Sequence, residues 1–532
     1  MNSRIDPIGL PPSTWTTGTT ESIKTGTWRA ALPAYGKRPS PCHLACPVEG
    51  DIARWMQQAR AGDWHGAWLT LVEHNPFPAV AGYVCHHPCE AACNRAGYDQ
   101  ALAVCALERH IGERALAEHW TFPEAPVGLQ RVAVVGGGPA GLSAAYQLRR
   151  RGYAVTLFEA QAQLGGLLRH GIPPYRLPRE VLDAEIERIL DLGVDVRTGM
   201  AFDTAEQLAR LRQHFAAMFL AIGAGVPKRL PQLDYAMPWN MDSAAYLAQA
   251  NAGAPPALGR RLAVIGGGSA AMDVARSARR AGHEVSVLAL ESEAQMPAQR
   301  EEVLEAKAEG VALVGGAMLR DANPSSKGLW LHCVRVIFDG KNVDVIPGSE
   351  FVLQADATVT AIGQDPRLAP LSALRAQGGL LWTDARGATS AEGVFAGGDA
   401  ASLQRFVTHA IGTGKRAAIE IDCWLQGEPA LPPRPENSVA RAQVNTFYHP
   451  NAPRAPGNRN AVERPDEALA EAARCFSCGE CTFCDNCFNY CPDMAVRRAM
   501  GGYAIAADYC KGCGLCVREC PTGAIAMQEE LR

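Results

Sequence analysis

The stretch RVAVVGGGPAGLSAAYQLRRRGYAVTLFEA, residues 131–160, passes from an apolar β-branched run through a glycine turn into an Ala/Leu/Arg-rich helix. It leaves by a second strand that ends in an acid. Glycines in such a turn permit a tight bend and let a pyrophosphate approach backbone N–H groups at the helix N-terminus. Gly136, Gly138, Pro139, Ala140 and Gly141 form the turn, and Glu159 stands where a carboxylate can meet ribose hydroxyls. One G-x-G-x-x-G is weak evidence, because an ordinary glycine turn has the same letters. Here the text recurs. RLAVIGGGSAAMDVARSARRAGHEVSVLALE covers residues 261–291, with Gly266, Gly268, Ser269, Ala270 and Ala271 in the turn and Glu291 at the strand end. Two copies predict two dinucleotide sites on one polypeptide.

The surrounding text alternates β-branched runs, glycine turns and helices from about 126 to 430, the rhythm of α/β units with parallel sheets. AAMFLAIGAG (216–225), ADATVTAIGQDP (355–366) and VFAGGDA (394–400) are apolar strands that end in small residues. They add Gly223, Gly363, Gly398 and Asp399 to the cofactor-binding set. Each phrase alone is an ordinary strand exit. In this order they are similar to a flavoprotein reductase with FAD in the first and last segments and a nicotinamide domain inserted between. GGLLRHGIPPYRLP (165–178) is then expected to fold over the flavin, with Gly166 and Leu167 at the cofactor. Arg169, His170 and Arg176 in it are cofactor or packing positions. No catalytic acid or base is expected, since hydride transfer between nicotinamide and flavin needs none.

The C-terminus carries CTFCDNCFNYCP (481–492) and CKGCGLCVRECP (510–521). C-x2-C-x2-C-x3-C-P is the bacterial pattern for cubane clusters, with the fourth Cys of each run serving the other cluster. Cys481, Cys484, Cys487 and Cys520 are expected on one 4Fe–4S cluster, and Cys510, Cys513, Cys516 and Cys491 on the other. Zinc also uses CxxC pairs, but it does not need a matched Cys-Pro ending in two copies. Cys475 and Cys478 in RCFSCGEC continue the every-third-residue spacing and could enter an alternative frame, so their role stays open.

The bulk numbers fit this picture. A chain of 532 residues exceeds one ordinary core, and a net charge of −4 gives no case for nucleic acid as a partner. The 18 cysteines fall in metal-type groups, which points to a reducing, cytoplasmic setting rather than to disulfides. MNSRIDPIGLPPSTW lacks the apolar region of a secretory leader, and no run is apolar enough to span a membrane. Residues 1–125 hold 6 cysteines, 6 tryptophans and helical-looking runs.

CPVEGDI, NPFP, CEAAC, VVGGGPAGLSAA, GGLLRHGIPPYRLP, GGGSAAMDVAR, MPA, AIGQ and VFAGGDA occur in this order. Together they resemble the small, NADPH-oxidising subunit of bacterial glutamate synthase and its relatives, among them the flavin half of dihydropyrimidine dehydrogenase. The C-terminal module resembles an extended subgroup, electron-transfer subunits of complexes such as 2-oxoacid oxidoreductases of the phenylglyoxylate dehydrogenase kind. The resemblance implies a multidomain chain. Residues 1–125 would be an N-terminal α-helical iron–sulfur domain, and 126–240 and 355–427 the two parts of a Rossmann-like FAD domain. Residues 241–354 would be an inserted NAD(H) domain, 428–470 a linker, and 471–532 a ferredoxin-like α+β module.

It also implies a third 4Fe–4S cluster on Cys46, Cys85, Cys89 and Cys93. Relatives carry two further cysteines before the position of Cys42, and this chain has none there. Those two complete a second N-terminal cluster in the relatives, so Cys42 is left without its expected partners, with Cys105 and Glu108 as the candidates if that cluster survives. Relatives that use NADPH end the second strand of the inserted domain with two arginines, where this chain has Leu290 and Glu291, so NAD is expected. The expected function is electron transfer from partner subunits, contacted through the ferredoxin-like module and the N-terminal domain, via clusters and FAD to NAD. Two alternatives stand beside it: a glutamate synthase small subunit that oxidises NADPH, and an electron-conducting interaction module without nucleotide turnover.

Overall fold

Each glycine-turn repeat opens a five-stranded parallel sheet in the computed structural model of the chain. Residues 24–530 are described, apart from 37, 125, 127, 129, 326–327 and 455–463; the N-terminal leader reading and part of the 428–470 segment lie outside them. In the first sheet the strands run in the order Val394–Ala396, Ala217–Leu220, Arg131–Val135, Ala154–Phe158, Asp195–Arg197. The second has the order Ala312–Val314, Glu284–Leu288, Arg261–Ile265, Ala357–Thr360, Asn240–Asp242. The strands that precede the glycine turns are buried at every position after the first. That is why they read as unbroken Val/Ala/Ile runs rather than as alternating ones.

The crossing between the two sheets falls later than expected. Ala357–Thr360 pairs with Leu262–Ile265, so it completes the inserted domain's sheet. The chain leaves through Val226–Pro227 and returns through Gln364–Asp365, which pair antiparallel. The boundary drawn at 354/355 therefore moves past Thr360. The inserted domain also carries an antiparallel sheet built from Ala317–Ser325, Gly328–Phe338, Val343–Val345 and Phe351–Ala355.

The N-terminal helices Ile52–Arg60, Trp64–Val72, Pro78–Val84 and Val104–Ala117 share one core with the first nucleotide domain, in which Trp55, Trp68, Phe77 and Tyr146 are fully buried. A buried carboxylate joins the two units. Glu185, on helix Arg179–Leu190, accepts from the N–H groups of Ala79 and Val80 at 2.9 Å each. These are orphan donors at the start of helix Pro78–Val84. Burial pushes Glu185 up to about 8 against the pull of both N–H groups.

The expected 428–470 linker is not a free tether where it is described. Tyr98 Oη donates to His449 O at 2.7 Å, and Asn94 Nδ2 donates to Val439 O at 2.9 Å. Helix Pro465–Ala473 places Ala468 and Ala472 in the helical domain's core. At the other end, Ala31–Tyr35 pairs antiparallel with Ile525–Glu529, so an N-terminal strand becomes part of the ferredoxin module. That module contains the hairpin Val496–Ala499/Gly502–Ile505 and the short helices Asn486–Asn489 and Leu515–Arg518.

Candidate functional site: a dinucleotide cradle and a file of thiols

The glycine turns have three distinct jobs, visible in what a Cβ would meet. At Gly136 (φ +112°) it would fall 2.2 Å from Ala221 O, and at Gly141 1.8 Å from Gly136 O. Those two permit the turn and the close packing of helix Pro139–Arg150. At Gly138 the nearest atom is Gly166 Cα, 3.9 Å away, so that glycine faces open space where a phosphate fits. In the second copy Gly266 (φ +134°) is pressed against Ala361 O at 2.3 Å, and Gly268 has nothing within 4 Å. The backbone thus suits a dinucleotide in both places.

A cavity of about 460 Å³ opens in front of the first turn. Gly136, Gly138, Pro139, Ala140, Glu159, Gly166, Leu167, His170, Gly223, Gly398 and Asp399 are among its walls. Glu159 is held by two backbone donors, Gly137 N at 2.6 Å and Gln161 N at 2.8 Å, so its carboxylate cannot swing away from the ribose position. Burial pushes Asp399 above the usual carboxylate range, with Arg405 pulling the other way. Gly363 lies outside this cavity. Its carbonyl accepts from Lys228 N at 3.0 Å, at the crossing between domains.

Glu291 stands two residues beyond Ala289, the residue that matches Glu159 in strand register, and its carboxylate reaches the corresponding glycine. A Cβ on Gly267 would meet Glu291 Oε2 at 2.9 Å, as one on Gly137 would meet Glu159 Oε2 at 3.1 Å. Arg276 and Arg279, the cations that could offset it, are engaged elsewhere. Arg276 binds Glu305 and Glu309, and Arg279 donates to the carbonyls of Glu309 and His283. The expected flavin-covering segment has a second role that the sequence did not announce. Arg176 bridges to Asp273 at 2.7 Å and to Glu302 at 2.5 Å, tying this segment to two helices of the inserted domain.

All the cysteines but Cys105, Cys333 and Cys423 fall into four groups. Cys491, Cys510, Cys513 and Cys516 line one small pocket, the grouping expected from the alternating ferredoxin frame. Burial raises Cys487, and Cys484, Cys481 and Cys520 push it the same way, which places the companion set together. In the helical domain, burial pushes Cys85 up to about 12, with Glu108 and Cys46 adding to it. Cys89 is raised by burial and then by Cys46 and Cys85. Iron acts oppositely on such thiols, since coordination favours the thiolate outright.

Cys93 is the exception. It lines a different pocket, with Cys42, Cys475 and Cys478, so the expected set Cys46, Cys85, Cys89 and Cys93 is divided. The cause is local. Cys93 follows the helical turn Pro88–Ala91 and starts a new turn, Asn94–Gly97, that faces the C-terminal segment. Cys105, by contrast, donates to the carbonyls of Ala81 and Gly82. Spacing within CxxxCxxxC could not reveal this division, because the deciding residues lie nearly 400 positions away.

Residues 130–414 match the pyridine nucleotide-disulphide oxidoreductase model. The chain belongs to that family. Residues 35–120 match the dihydropyrimidine dehydrogenase domain II 4Fe-4S model, and 503–526 a 4Fe-4S binding domain. A relative from Moorella thermoacetica, the NADP(+)-dependent formate dehydrogenase subunit beta, is 36% identical over 75% of this chain. The chain spans 62% of that relative's length. The NAD-dependent dihydropyrimidine dehydrogenase subunit PreT of Salmonella typhimurium is 32% identical over 73% of this chain and 91% of its own. The glutamate synthase [NADPH] small chain of Mycobacterium tuberculosis is 33% identical over 74% and 87%. The FAD/iron–sulfur oxidoreductase architecture read from the sequence is thereby established, with an N-terminal iron–sulfur domain, Rossmann-like nucleotide domains and a ferredoxin-like module. Among the described residues no helix is long and apolar enough to cross a membrane.

Proposed function

We propose that this chain is the electron-transfer flavoprotein subunit of a larger cytoplasmic oxidoreductase complex, delivering a partner's electrons to NAD. The observation that carries the reading is placement. Ferredoxin-type cysteines lie in the C-terminal module, a dinucleotide cavity lies within the first nucleotide domain, and the thiol-bearing helical domain meets both parts of the chain, where Asn94 touches Cys478 and Cys85 touches Thr408. Bound in that cavity, FAD would supply the exchange between one-electron carriers and hydride. The protein's part is to hold the phosphates at Gly138, fix the ribose by Glu159, and align the inserted domain through Arg176. Cys46, Cys85 and Cys89 would hold the N-terminal cluster, with the buried Glu108 as the fourth donor in place of Cys93.

Exposed Cys484 and Cys513 mark where electrons enter. The exposed Phe483, Tyr490 and Met494 around the first of them suit an apolar contact with a partner. Given the resemblance of the C-terminal module, that partner is a 2-oxoacid oxidoreductase of the phenylglyoxylate dehydrogenase type.

A second reading, outward flow from NADPH, is favoured by the likeness to the glutamate synthase [NADPH] small chain of Mycobacterium tuberculosis, while the NADP(+)-dependent Moorella subunit favours the phosphorylated nucleotide without that direction. Anaerobic bleaching of the flavin by NADH and by NADPH separates the two. Preference for NADH by at least about tenfold in kcat/KM supports NAD, and equal rates would remove it. Loss of flavin from anaerobically purified protein would remove both readings.

A further inference from the structure

We infer that Cys42, Cys93, Cys475 and Cys478 hold a fourth 4Fe–4S cluster, assembled from the two ends of the chain where the helical domain meets the ferredoxin module. The inference rests on the reading of the chain as an iron–sulfur flavoprotein and adds a site to it. These four thiols line one pocket of about 20 Å³. The ferredoxin set Cys491, Cys510, Cys513 and Cys516 lines a second pocket of the same volume. Among the described residues no three His, Cys, Asp or Glu side chains are placed to hold one metal ion. The two sets thus resemble each other in their number of thiols and in the pocket they line.

The backbone supplies a second, independent mark. In the ferredoxin runs, the residues two and four places after the leading cysteine are left-handed: Phe483 (φ 55°) and Asp485 (φ 62°), then Gly512 (φ 73°) and Gly514 (φ 72°). After Cys475 the same pair recurs at Ser477 (φ 50°) and Gly479 (φ 78°). Left-handed backbone at a residue other than glycine is uncommon, so its repetition at matched positions reflects a shared need. Such turns aim N–H groups inward, toward an anionic cluster. Ser477 N donates to Cys475 Sγ at 3.3 Å, and Asn94 Nδ2 donates to Cys478 Sγ at 3.4 Å.

The other half of a ferredoxin run sits at the opposite end of the sequence. Cys42 and Cys46 read C-x3-C-P, as do Cys487/Cys491 and Cys516/Cys520. Cys42 lies in a short helix, Pro41–Ala45, as Cys487 and Cys516 lie in theirs. Three residues beyond the last cysteine of each, the backbone turns left-handed: Glu49 (φ 55°), Met494 (φ 50°) and Gly523 (φ 70°). Cys475-x2-Cys478 and Cys42-x3-Cys46-Pro thus form one ferredoxin run split across the chain. In an unbroken run the last cysteine serves the neighbouring cluster, and Cys46 does lie with Cys85 and Cys89.

The seam is clamped by buried charge. Arg474 donates to Glu471 at 2.6 Å and to Gln100 O at 2.7 Å, while Glu471 accepts from Ala103 N at 2.9 Å. This fixes Cys475 against the helical domain. Cys478 precedes Cys481 by three residues and Cys42 precedes Cys46 by four. The fourth cluster would therefore lie between the ferredoxin pair and the Cys46 group and close the gap in the wire.

Iron, acid-labile sulfide and FAD are to be measured on the anaerobically purified full chain, with Mössbauer spectra of the same samples. The expected result is about sixteen iron atoms per chain, falling to about twelve in C475A/C478A and in C42A, with no change in C423A, a thiol on helix Val407–Gln426 outside the four groups. If the variants do not fold, the unmodified chain decides. About twelve iron atoms with FAD present overturns the fourth cluster and leaves the flavoprotein reading intact. Absence of FAD strikes that reading instead. Full iron retention in C475A/C478A also overturns the assignment.

Discussion

Glu291 is the single carboxylate on which the proposed choice of NAD rests. It faces Gly267 in the turn as Glu159 faces Gly137 in the first copy, and the nearby arginines are committed to Glu305 and Glu309. A carboxylate there accepts hydrogen bonds from 2′- and 3′-hydroxyls, whereas a 2′-phosphate meets like charge. Replacing Leu290 and Glu291 by Arg should narrow or invert a preference of about tenfold, equivalent to about 1.4 kcal/mol. Steady-state kcat/KM for both nucleotides measures it, and an unchanged ratio would assign discrimination elsewhere. A second residue test concerns Glu185. Glu185→Gln keeps the shape but puts an NH2 donor where the ionised carboxylate has an accepting oxygen, so above about pH 8 Ala79 or Val80 N–H loses its partner. The expected cost is about 1–3 kcal/mol, read as faster amide exchange in Pro78–Val84. Glu291 was legible as a candidate because an acid follows the second strand of a repeated motif, three residues past its end at Leu288. Glu185 was not, since nothing in the sequence shows which helix N-terminus it will meet.

At the scale of elements, the 165–178 segment acts as a strap between nucleotide domains. Arg176 is shared by two buried carboxylates, so the three groups together carry one excess negative charge. Burial pushes Asp273 up to about 6, and Arg176 only partly offsets this. An acid raised in the fold above its unfolded value of about 3.9 binds its proton more tightly when folded. Its contribution to stability is then complete below about pH 4 and is lost as pH rises through about 6. Thermal midpoints between pH 4.5 and 7 should fall with rising pH in the unmodified chain. They should fall less in Asp273→Asn, and identical slopes would contradict the strap's titration. Arg176→Ala should raise amide exchange in both the strap and helix Ser269–Arg280, because it leaves two carboxylates without their shared cation. The glycine motifs made these helices and strands readable in order. The strap's interdomain ion pairs were not readable, because an Arg in a loop has no periodic partner.

On the scale of the whole molecule, the sequence disclosed modules and concealed how the ends meet. The α/β repeats, the ferredoxin runs and the helical domain follow from local spacing, so their existence and order were legible. The strand Ala31–Tyr35 joining Ile525–Glu529, the helix Pro465–Ala473 entering the N-terminal core, and the pocket that Cys42 shares with Cys475 bring opposite ends of the chain together. Local patterns carry no information about such closures, which is why Cys93 was grouped with its sequence neighbours. In the proposed reading this closure would join the cluster sites into one path from an exposed entry at Cys484 to the cavity of the first nucleotide domain. The direct test is anaerobic NADH formation from NAD+, followed at 340 nm, with a reduced ferredoxin protein as donor, too large to enter the flavin cavity. NADH should form with the unmodified chain and fall by at least about tenfold in Cys484→Ala, while flavin absorbance is retained. An undiminished rate in Cys484→Ala, or no NADH at all from flavin-replete protein, would contradict a wire that feeds the flavin.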